Sequence, residues 1–437
     1  MAGAVAAAAL GARGSEPAPL PGDAEIDKIV SAVSIERIQR SIFVLASFRT
    51  RHTLSDPLPS GDGIGGAGAW VRAELERTAA ATGGRLRVEL DTFEQPAQPP
   101  LIPQPVEITN LVATLPGSTA RTYVLCAHYD SRTKDIRDAQ NPAPGADDNA
   151  SGVAAVLELA RSLSPYDFGA TMVFLITAGG EQGGVGAAHW AEQAKLRGLD
   201  LAGVIDLDVV GRSRSADGRI DRRDVDLFAQ GAPSSGERGA DVSALIAAGG
   251  ENDTPARSLA RAIRDAAAHY VPAINVRIVY RADRSRGDGD HAPFLHRGFP
   301  AVRFAETVED PGPRDDVVDL LDFEYVTAVA RVNAAALAVL ARAPAPPCQV
   351  RVAPAASGSG AVLRWMPAGP TGPAGYRVVW RETTAPFWEH SVDLMASSHG
   401  PAQASVPGVA LEETIFGVEA IDGAGHASPA VFALPAP

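Results

Sequence analysis

Acidic and imidazole side chains stand near the ends of successive apolar runs in this sequence. They are His128, Asp130, Asp148, Glu181, Asp208 and His291. The loops that follow the parallel strands of an open α/β sheet form the crevice in which such sheets bind ligands. Neutral imidazole nitrogens and ionised carboxylates are donors that suit zinc. The pattern therefore predicts a zinc site at one edge of a sheet.

The number of donors predicts more than one metal ion. Without Asp130, the set contains two histidines and three carboxylates, which is enough for two ions that share a bridging carboxylate. Asp208 is the strongest single indication, because it lies in an apolar run and a buried carboxylate without a partner is unfavourable. A salt bridge from Asp208 to an arginine is the structural alternative. Each of the other residues could be an ordinary hydrogen-bonded residue at a strand end, so the inference depends on the whole set.

Hydrophobic periodicity predicts the elements that would position these residues. Short apolar or alternating runs predict strands at Leu86–Leu90, Ile108–Leu115, Arg121–Ala127, Thr171–Ala178, Ala202–Val210, Val225–Ala229, Val276–Tyr280 and Ala301–Ala305. Helical spacing predicts helices at Asp23–Phe48 with a break near Ser34, Ala69–Ala81, Val153–Leu163, Ala187–Leu196, Pro255–Tyr270 and Phe323–Arg342. Thr50–Gly68 is predicted as a loop. The alternation predicts an α/β fold with a mostly parallel sheet flanked by helices, and right-handed crossovers place the loops after the parallel strands along one edge.

The proline-rich stretch Pro344–Pro347 marks a predicted domain boundary. Residues 23–343 form the predicted α/β domain. Residues 348–437 carry short apolar runs separated by Gly/Pro turns, which predict a small C-terminal β-sandwich. Its predicted strands are Ala361–Met366, Tyr376–Arg381, Ala404–Val406 and Phe416–Ala420. Its predicted core contains Trp365, Tyr376, Trp380 and Phe416.

The N-terminus and the overall charge bear on location and partners. Residues 1–22 are predicted to be a disordered tail or the remnant of a secretory signal without its basic region, which favours a secreted or periplasmic location over the cytoplasmic alternative. The chain has 39 basic and 52 acidic residues and a net charge of −13, which argues against nucleic acid and anionic membrane surfaces as partners. No long uninterrupted apolar stretch occurs, so no membrane span is predicted. Cys126 and Cys348 lie in different predicted domains and do not suggest a disulfide framework.

Four segments resemble the motifs of the co-catalytic di-zinc aminopeptidases. That family includes aminopeptidases S and Y, and its relatives include glutamate carboxypeptidase, glutaminyl cyclase and the transferrin-receptor ectodomain. The segments read HYDS at 128–131, GADDNASG at 145–152, LDVVG at 207–211 and GDHAPF at 289–294. The resemblance spans about residues 25–340 and implies the zinc exopeptidase fold, two zinc ions and a peptide or protein substrate.

The resemblance also implies how the ligands are shared. His128 and Asp208 would bind one zinc ion, and Glu181 and His291 would bind the other. Asp148 would bridge the two ions.

Further roles follow from the same resemblance. Asp130 would hydrogen-bond the far nitrogen of His128 and so fix its tautomer. The peptide bond between Asp148 and Asn149 would be cis. Three residues have no place in the family pattern and are interpreted as structural or solvated: His189, His296 and Asp206.

Gly180 occupies the position at which this chain departs from the family. The family motif reads Gly-Glu-Glu-x-Gly-x-x-Gly, in which the first Glu is the general base and the second is a zinc ligand. Here the stretch 179–186 reads GGEQGGVG, which places Gly180 at the base position and Glu181 at the ligand position. In the alternative register Glu181 is the base and Gln182 a ligand, but that register breaks the glycine spacing, and a neutral amide is a poor zinc ligand.

The loss of a positioned acid–base group predicts weakened activity, since such a group typically contributes about 10²–10⁴-fold. Another carboxylate could replace it, and the candidates are Asp147, Asp288 and Asp290. The arginine-rich segment 281–286 could meet a substrate carboxylate or form ordinary ion pairs within its loop.

Three functional hypotheses remain open. The first is a zinc exopeptidase, most simply an aminopeptidase. The second is a catalytically inactive metal-site relative that binds peptides or proteins, and the third is a single-zinc acyltransferase of the glutaminyl-cyclase kind. The C-terminal sandwich resembles a fibronectin type III domain at Tyr376–Arg381 and Phe416–Asp422, which implies a spacer or a carbohydrate- or protein-contacting module. The sequence does not indicate an oligomeric state.

Overall fold

The computed structural model describes residues 7–9, 20, 22–232, 240–281, 289–308, 316–356, 359–369, 372–396 and 401–436. The chain divides into two compact units. The larger unit contains Ala24–Ala229 and Ala266–Ala341, and the smaller contains Met1–Asp23, Gln230–Asp265 and Arg342–Pro437.

Strands and helices alternate along the first three quarters of the chain. In chain order the strands are β1 Ala7–Ala9, β2 Arg87–Gln95, β3 Val106–Leu115, β4 Thr122–His128, β5 Thr171–Thr177, β6 Leu201–Leu207, β7 Asp224–Phe228, β8 Asn275–Val279, β9 Ala301–Glu306, β10 Cys348–Pro354, β11 Gly360–Met366, β12 Gly375–Glu382, β13 His390–Met395, β14 Ala402–Pro407, β15 Thr414–Ile421, β16 Val431–Phe432 and β17 Leu434–Pro435. The helices are α1 Ala24–Ser31, α2 Ile35–Ser47, α3 Ile64–Ala81, α4 Ala150–Leu163, α5 Val185–Leu196, α6 Ala240–Ala247, α7 Pro255–Tyr270, α8 Ala292–His296 and α9 Phe323–Arg342.

An eight-stranded sheet forms the centre of the larger unit, in the order β2-β3-β5-β4-β6-β9-β7-β8. The four central strands β5, β4, β6 and β9 are mutually parallel, whereas β2, β3 and β7 join antiparallel neighbours. Every residue of β4 is buried, as expected for a strand covered by helices on both faces. The predicted α/β fold with a mostly parallel sheet is confirmed.

This strand order places the predicted loops together. His128 is the last residue of β4, and Asp208 directly follows β6. Because β4 and β6 are adjacent and parallel, their carboxyl ends meet at one edge of the sheet.

The predicted break in the first helix is also present. α1 and α2 are separate helices, and Ser34 caps α2 by accepting a hydrogen bond from the backbone N–H of Arg37 at 3.3 Å. A serine hydroxyl at this position satisfies one of the free N–H groups of the first helical turn.

The start of α3 differs from the prediction, since the helix begins at Ile64 rather than Ala69. Glycines disfavour a helix interior, and the sequence has three of them between 64 and 69. Packing explains them, because a Cβ atom at Gly65 would lie 2.1 Å from the carbonyl oxygen of Pro57 and one at Gly66 would lie 2.0 Å from that of Gly61.

The smaller unit contains two β-sheets, in the orders β1-β14-β11-β10-β17 and β13-β12-β15-β16. Side chains from both sheets form one core, which includes the four predicted aromatic residues Trp365, Tyr376, Trp380 and Phe416. The predicted C-terminal sandwich core is therefore present. Residues 1–22 were expected to be a tail or signal remnant, but Ala7–Ala9 pair in parallel with β14 as an edge strand.

Residues 230–265 group with the sandwich, although the sequence places them in the segment 23–343. An ionic cluster within the smaller unit connects this segment to the sandwich. The buried carboxylate of Asp253 accepts hydrogen bonds from Arg381 of β12 at 2.8 and 2.9 Å and from Arg261 of α7 at 3.2 Å.

One helix in the described part of the chain, Phe323–Arg342, is long and apolar enough to cross a membrane by length and composition alone. Within the fold, 78% of its most apolar window is buried, and core helices of globular proteins meet the same criterion.

Candidate metal centre

Three predicted ligands converge beyond the carboxyl ends of β4 and β6. One donor atom from each of His128, Asp148 and Asp208 lies within 4.8 Å of the other two. His128 Nε2 is 3.2 Å from Asp148 Oδ1 and 3.4 Å from Asp208 Oδ1. One imidazole nitrogen thus faces two carboxylates, which is an arrangement that can hold a divalent cation.

The other nitrogen of His128 faces Asp130. His128 Nδ1 is 3.5 Å from Asp130 Oδ1 and 3.2 Å from the Asp130 carbonyl oxygen. Burial alone lowers the pKa of His128, but hydrogen bonds to Asp130, Asp148 and Asp208 outweigh it and hold that pKa well above its usual range. The carboxylates therefore favour positive charge at this position.

Asp208 has both partners that the sequence analysis treated as alternatives. Arg303 Nη2 is 3.1 Å from Asp208 Oδ2, and Arg303 Nε donates to the Asp208 carbonyl oxygen at 2.6 Å. Burial raises the pKa of Asp208, but Arg303 and His128 outweigh it and lower the pKa below its usual value. Asp208 therefore remains ionised, with one oxygen toward Arg303 and the other toward His128.

Glu181 and His291 do not belong to the group formed by His128, Asp148 and Asp208. That group is the cluster of potential metal ligands found among the described residues. The Glu181 carboxylate accepts a hydrogen bond from Arg132 Nε at 2.6 Å. Burial raises the pKa of Glu181 well above its usual range, and the negative charge of Asp148 adds to this shift. Glu181 is thus close enough to Asp148 to interact with it electrostatically.

Asp206 orients His291. His291 Nδ1 is 3.4 Å from Asp206 Oδ2, and the His291 backbone N–H donates to the same oxygen at 3.2 Å. This arrangement parallels that of Asp130 with His128. The sequence analysis gave Asp206 no role in the site, although its position two residues before Asp208 within a buried strand was an available signal.

The two histidines that the sequence analysis interpreted as structural or solvated, His189 and His296, differ in their surroundings. His189 stacks on Phe93 with a centroid separation of 3.8 Å, and its Nε2 is 3.4 Å from Asp91. His296 is the last residue of α8. Neither belongs to the group of three.

Gly180 packs directly against His128. Its backbone N–H donates to Asp130 Oδ1 at 2.9 Å, and the N–H of Glu181 donates to Asp130 Oδ2 at 3.0 Å. A Cβ atom at Gly180 would lie 2.5 Å from Cγ and 2.7 Å from Cβ of His128. Glycine is therefore required here for the loop to approach the imidazole this closely.

Gln182, the ligand in the alternative register, is buried with its Nε2 3.3 Å from His52 Nε2. The peptide bond between Asp148 and Asn149 is cis, as the resemblance implied, and so is the bond between Asp208 and Val209.

Two of the three carboxylates proposed as substitutes for the base, Asp147 and Asp290, are buried and have partners in the interior. Asp147 Oδ2 is 3.2 Å from Arg212 Nε, and burial together with Asp316 raises the pKa of Asp147 to about 7. Asp290 accepts a hydrogen bond from Thr177 Oγ1, and burial together with Asp206 raises its pKa to about 7. Asp288 and residues 282–286 of the arginine-rich segment lie outside the described residues.

The comparisons with known proteins agree with this architecture. The sequence profile described as peptidase family M28 matches residues 110–337. A probable zinc metalloprotease of Pyrenophora teres f. teres (strain 0-1) is 36% identical over 438 residues, which cover 97% of this chain and 89% of that protein. A probable zinc metalloprotease of Leptosphaeria maculans is 38% identical over 433 residues, which cover 96% of this chain and 98% of that protein.

Two solved structures share the fold. The LapA aminopeptidase of Legionella pneumophila superposes with a TM-score of 0.53 at 19% identity and covers 76% of this chain and 78% of its own. An aminopeptidase from Aneurinibacillus sp. strain AM-1 superposes with a TM-score of 0.51 at 15% identity and covers 72% of this chain and 96% of its own. Together with the profile match and the two metalloprotease relatives, these findings show that the chain belongs to peptidase family M28.

Proposed function

We propose that this protein is a zinc-dependent exopeptidase, and specifically an aminopeptidase that removes residues from the amino ends of peptides. The observation that carries the proposal is the group of His128, Asp148 and Asp208, in which Nε2 of an oriented imidazole faces two carboxylates. Membership of a peptidase family and relatives described as zinc metalloproteases support the same reaction class.

The donor set fits two zinc ions. We assign His128 and Asp208 to one ion, Glu181 and His291 to the other, and Asp148 to both. Two observations support the fit: imidazole and carboxylate donors suit zinc, and each histidine has a carboxylate partner at its far nitrogen, as ligating histidines usually do. A zinc ion held there would polarise the scissile carbonyl group and lower the pKa of a water molecule to about 7.

The residues of the chain contribute orientation and charge. When a cation takes the place of the Nε2 proton, Asp130 would hold the remaining proton of His128 on Nδ1, and the lone pair on Nε2 would point toward the side of Asp148 and Asp208. Asp206 does the same for His291. Arg132 donates to the Glu181 carboxylate and limits its rotation. Since Gly180 brings no carboxylate, we expect turnover below that of an enzyme with a glutamate at this position, by up to the 10²–10⁴-fold typical of a positioned acid–base group.

Zinc content and hydrolysis of small substrates test the proposal. Purified protein is expected to hold zinc and to hydrolyse aminoacyl p-nitroanilides in preference to their N-acetylated counterparts. His128→Ala is expected to lose both properties, whereas His189→Ala, at the ring that stacks on Phe93, is expected to keep them. Absence of stoichiometric zinc, or equal activity in His128→Ala and the wild type, would contradict the proposal.

Gly180 supports one alternative, a metal-loaded relative that binds peptides without cleaving them. Its close packing against His128 means that the loop has no room for a side chain at the usual base position. In that case the wild type would bind zinc and retain peptides, but its hydrolysis rate would equal that of His128→Ala.

A further inference from the structure

Arg51 is a fully buried arginine in the loop between α2 and α3. It lies outside the residues 110–337 that the family profile matches. Its guanidinium group donates to four backbone carbonyl oxygens. They are those of Tyr129 at 2.7 Å, Gly145 at 2.8 Å, Leu45 at 2.9 Å and Pro144.

Three of these acceptors belong to the two segments that carry predicted zinc ligands. Tyr129 lies between His128 and Asp130, and Pro144 and Gly145 begin the segment that leads to Asp148. One rigid planar group therefore holds the two segments together. A guanidinium suits this task, because its donors point in fixed directions within one plane.

Further hydrogen bonds connect the loop between α2 and α3 to the segments that carry the predicted zinc ligands. The Arg51 backbone N–H donates to Ser131 Oγ at 3.1 Å, and Ser131 Oγ donates to the Ala143 carbonyl oxygen at 2.8 Å. Thr53 Oγ1 donates to Asp130 Oδ2 at 3.1 Å. The Asp130 carboxylate therefore accepts hydrogen bonds both from Thr53, in the loop between α2 and α3, and from the backbone N–H of Gly180.

The charge of Arg51 also matches its surroundings. Burial lowers the pKa of Arg51 to about 10, while the carboxylates of Asp316, Asp130, Asp148 and Glu181 oppose this shift, so the guanidinium stays charged near neutral pH. Before a cation binds, Arg51 is thus a buried positive charge close to a concentration of carboxylates. A neutral side chain of similar length would supply neither this charge nor the four hydrogen bonds.

We propose that Arg51 is a positioning residue for the metal centre, which sets the separation of His128 and Asp148 before zinc binds. On this proposal the loop that contains Arg51 and Thr53 is part of the site, although it precedes the family-matched residues. The inference rests on the proposed zinc-dependent function, since it concerns how tightly that site holds zinc.

The test compares Arg51→Met and Arg51→Lys with Arg381→Met, a control at another buried arginine, which pairs with Asp253 in the smaller unit. Zinc affinity is measured by competition with a chromogenic chelator, and the melting temperature of the metal-free protein is measured in parallel. Both Arg51 variants are expected to lose 10–100-fold in zinc affinity, the range typical of groups that orient metal ligands, because a lysine cannot bridge two segments with a planar fork. Arg381→Met is expected to lower the melting temperature and to keep wild-type zinc affinity.

Thr53→Val keeps the inference testable if the Arg51 variants do not fold. It removes one hydrogen bond to Asp130 and is expected to weaken zinc binding several-fold at nearly unchanged melting temperature. At saturating zinc, a positioning role lowers kcat and leaves KM nearly unchanged. Wild-type zinc affinity in folded Arg51→Met, or in Thr53→Val when Arg51→Met is unfolded, would overturn the inference. A wild-type protein that binds no zinc would instead overturn the proposed function, and this inference with it.

Discussion

At the residue scale, Gly180 has two properties that the sequence motif alone does not separate. It lacks the carboxylate of a general base, and it lacks the Cβ atom that would collide with His128. A glutamate introduced at this position would add a base and displace a predicted ligand at the same time. Gly180→Glu is therefore not a clean test of restored catalysis in this chain.

Gly180→Ala tests the steric effect alone, because it adds a Cβ atom without adding a carboxylate. The added methyl group is expected to push the His128 imidazole out of place, to lower zinc affinity and to destabilise the fold by about 1–3 kcal/mol, as is typical of overpacked sites. Isothermal titration with zinc and urea denaturation measure the two effects. Gly423→Ala is the control, because no atom lies within 4 Å of a Cβ atom built there. Unchanged zinc affinity in Gly180→Ala would show that the loop relaxes without moving His128.

The site residues that sequence reasoning found and those it missed differ in a physical way. His128 ends the apolar run of β4 and Asp208 directly follows that of β6, so their positions at strand ends were predictable from periodicity, whereas Asp148 lies in the loop just before α4. Arg303 is 95 residues from Asp208, and Arg51 is 78 residues from Tyr129. Partners at such separations are determined by tertiary packing, which a single sequence does not encode as a local pattern.

At the element scale, buried central strands were the most predictable part of the fold. β4, β5 and β6 are largely apolar runs, and the observed bounds of β4 and β5 lie within one residue of the predicted ones, whereas β6 ends at Leu207, three residues before the predicted Val210. The short strands β13, β16 and β17 were not predicted, because two to six residues at a sheet edge give too little alternation to recognise. The ionic cluster around Asp253 links residues 230–265 to the sandwich, and Asp253 and Arg381 are 128 residues apart, so no local pattern in the sequence indicates this contact.

That cluster supports a prediction about the smaller unit. Asp253→Ala leaves the buried guanidinium groups of Arg261 and Arg381 without their shared carboxylate, and removing one partner from such a buried pair is expected to destabilise the protein by about 3–5 kcal/mol. Urea denaturation followed by tryptophan fluorescence measures this loss. Glu76→Ala is the control, because Glu76 and Arg72 are both half-exposed in their pair and exposed pairs contribute about 0–1 kcal/mol. Equal losses in the free energy of unfolding in the two variants would show that the buried Asp253 cluster stabilises the protein no more than an exposed ion pair does.

Glu419 in β15 predicts how the stability of the same unit depends on pH. Burial raises the pKa of Glu419 to about 8, nearby Asp265 and Asp393 add to the shift, and Arg377 opposes it. The folded state therefore binds a proton that the unfolded state releases near its ordinary pKa of about 4.3. Stability falls as the pH rises from about 4.3 to 8, since the folded state binds more protons in that range.

Glu419→Gln is expected to flatten this part of the profile, and urea midpoints at pH 5, 6.5 and 8 compare the two proteins. Parallel profiles would mean that Glu419 titrates normally in the folded protein.

At the scale of the whole molecule, the fold and family follow from the order of the motifs along the chain, whereas the number of metal ions depends on Glu181 and His291. These two residues lie outside the group formed by His128, Asp148 and Asp208, yet each interacts electrostatically with a member of it. A cation between Glu181 and His291 would compete with Arg132 for the Glu181 carboxylate. The second ion is therefore expected to bind more weakly than the first.

Metal titration of the chelator-treated protein tests this order. We expect two equivalents of zinc to bind in separable steps, with Glu181→Ala keeping the tighter one and His128→Ala losing it. Free zinc at 100 times its dissociation constant stabilises a one-site protein by about 2.7 kcal/mol, so each step is expected to raise the urea midpoint separately. Glu192→Ala, at an exposed glutamate that pairs with Arg297, is the matched control and is expected to follow the wild type. A single equivalent in both the wild type and Glu181→Ala would establish a one-zinc centre built from His128, Asp148 and Asp208.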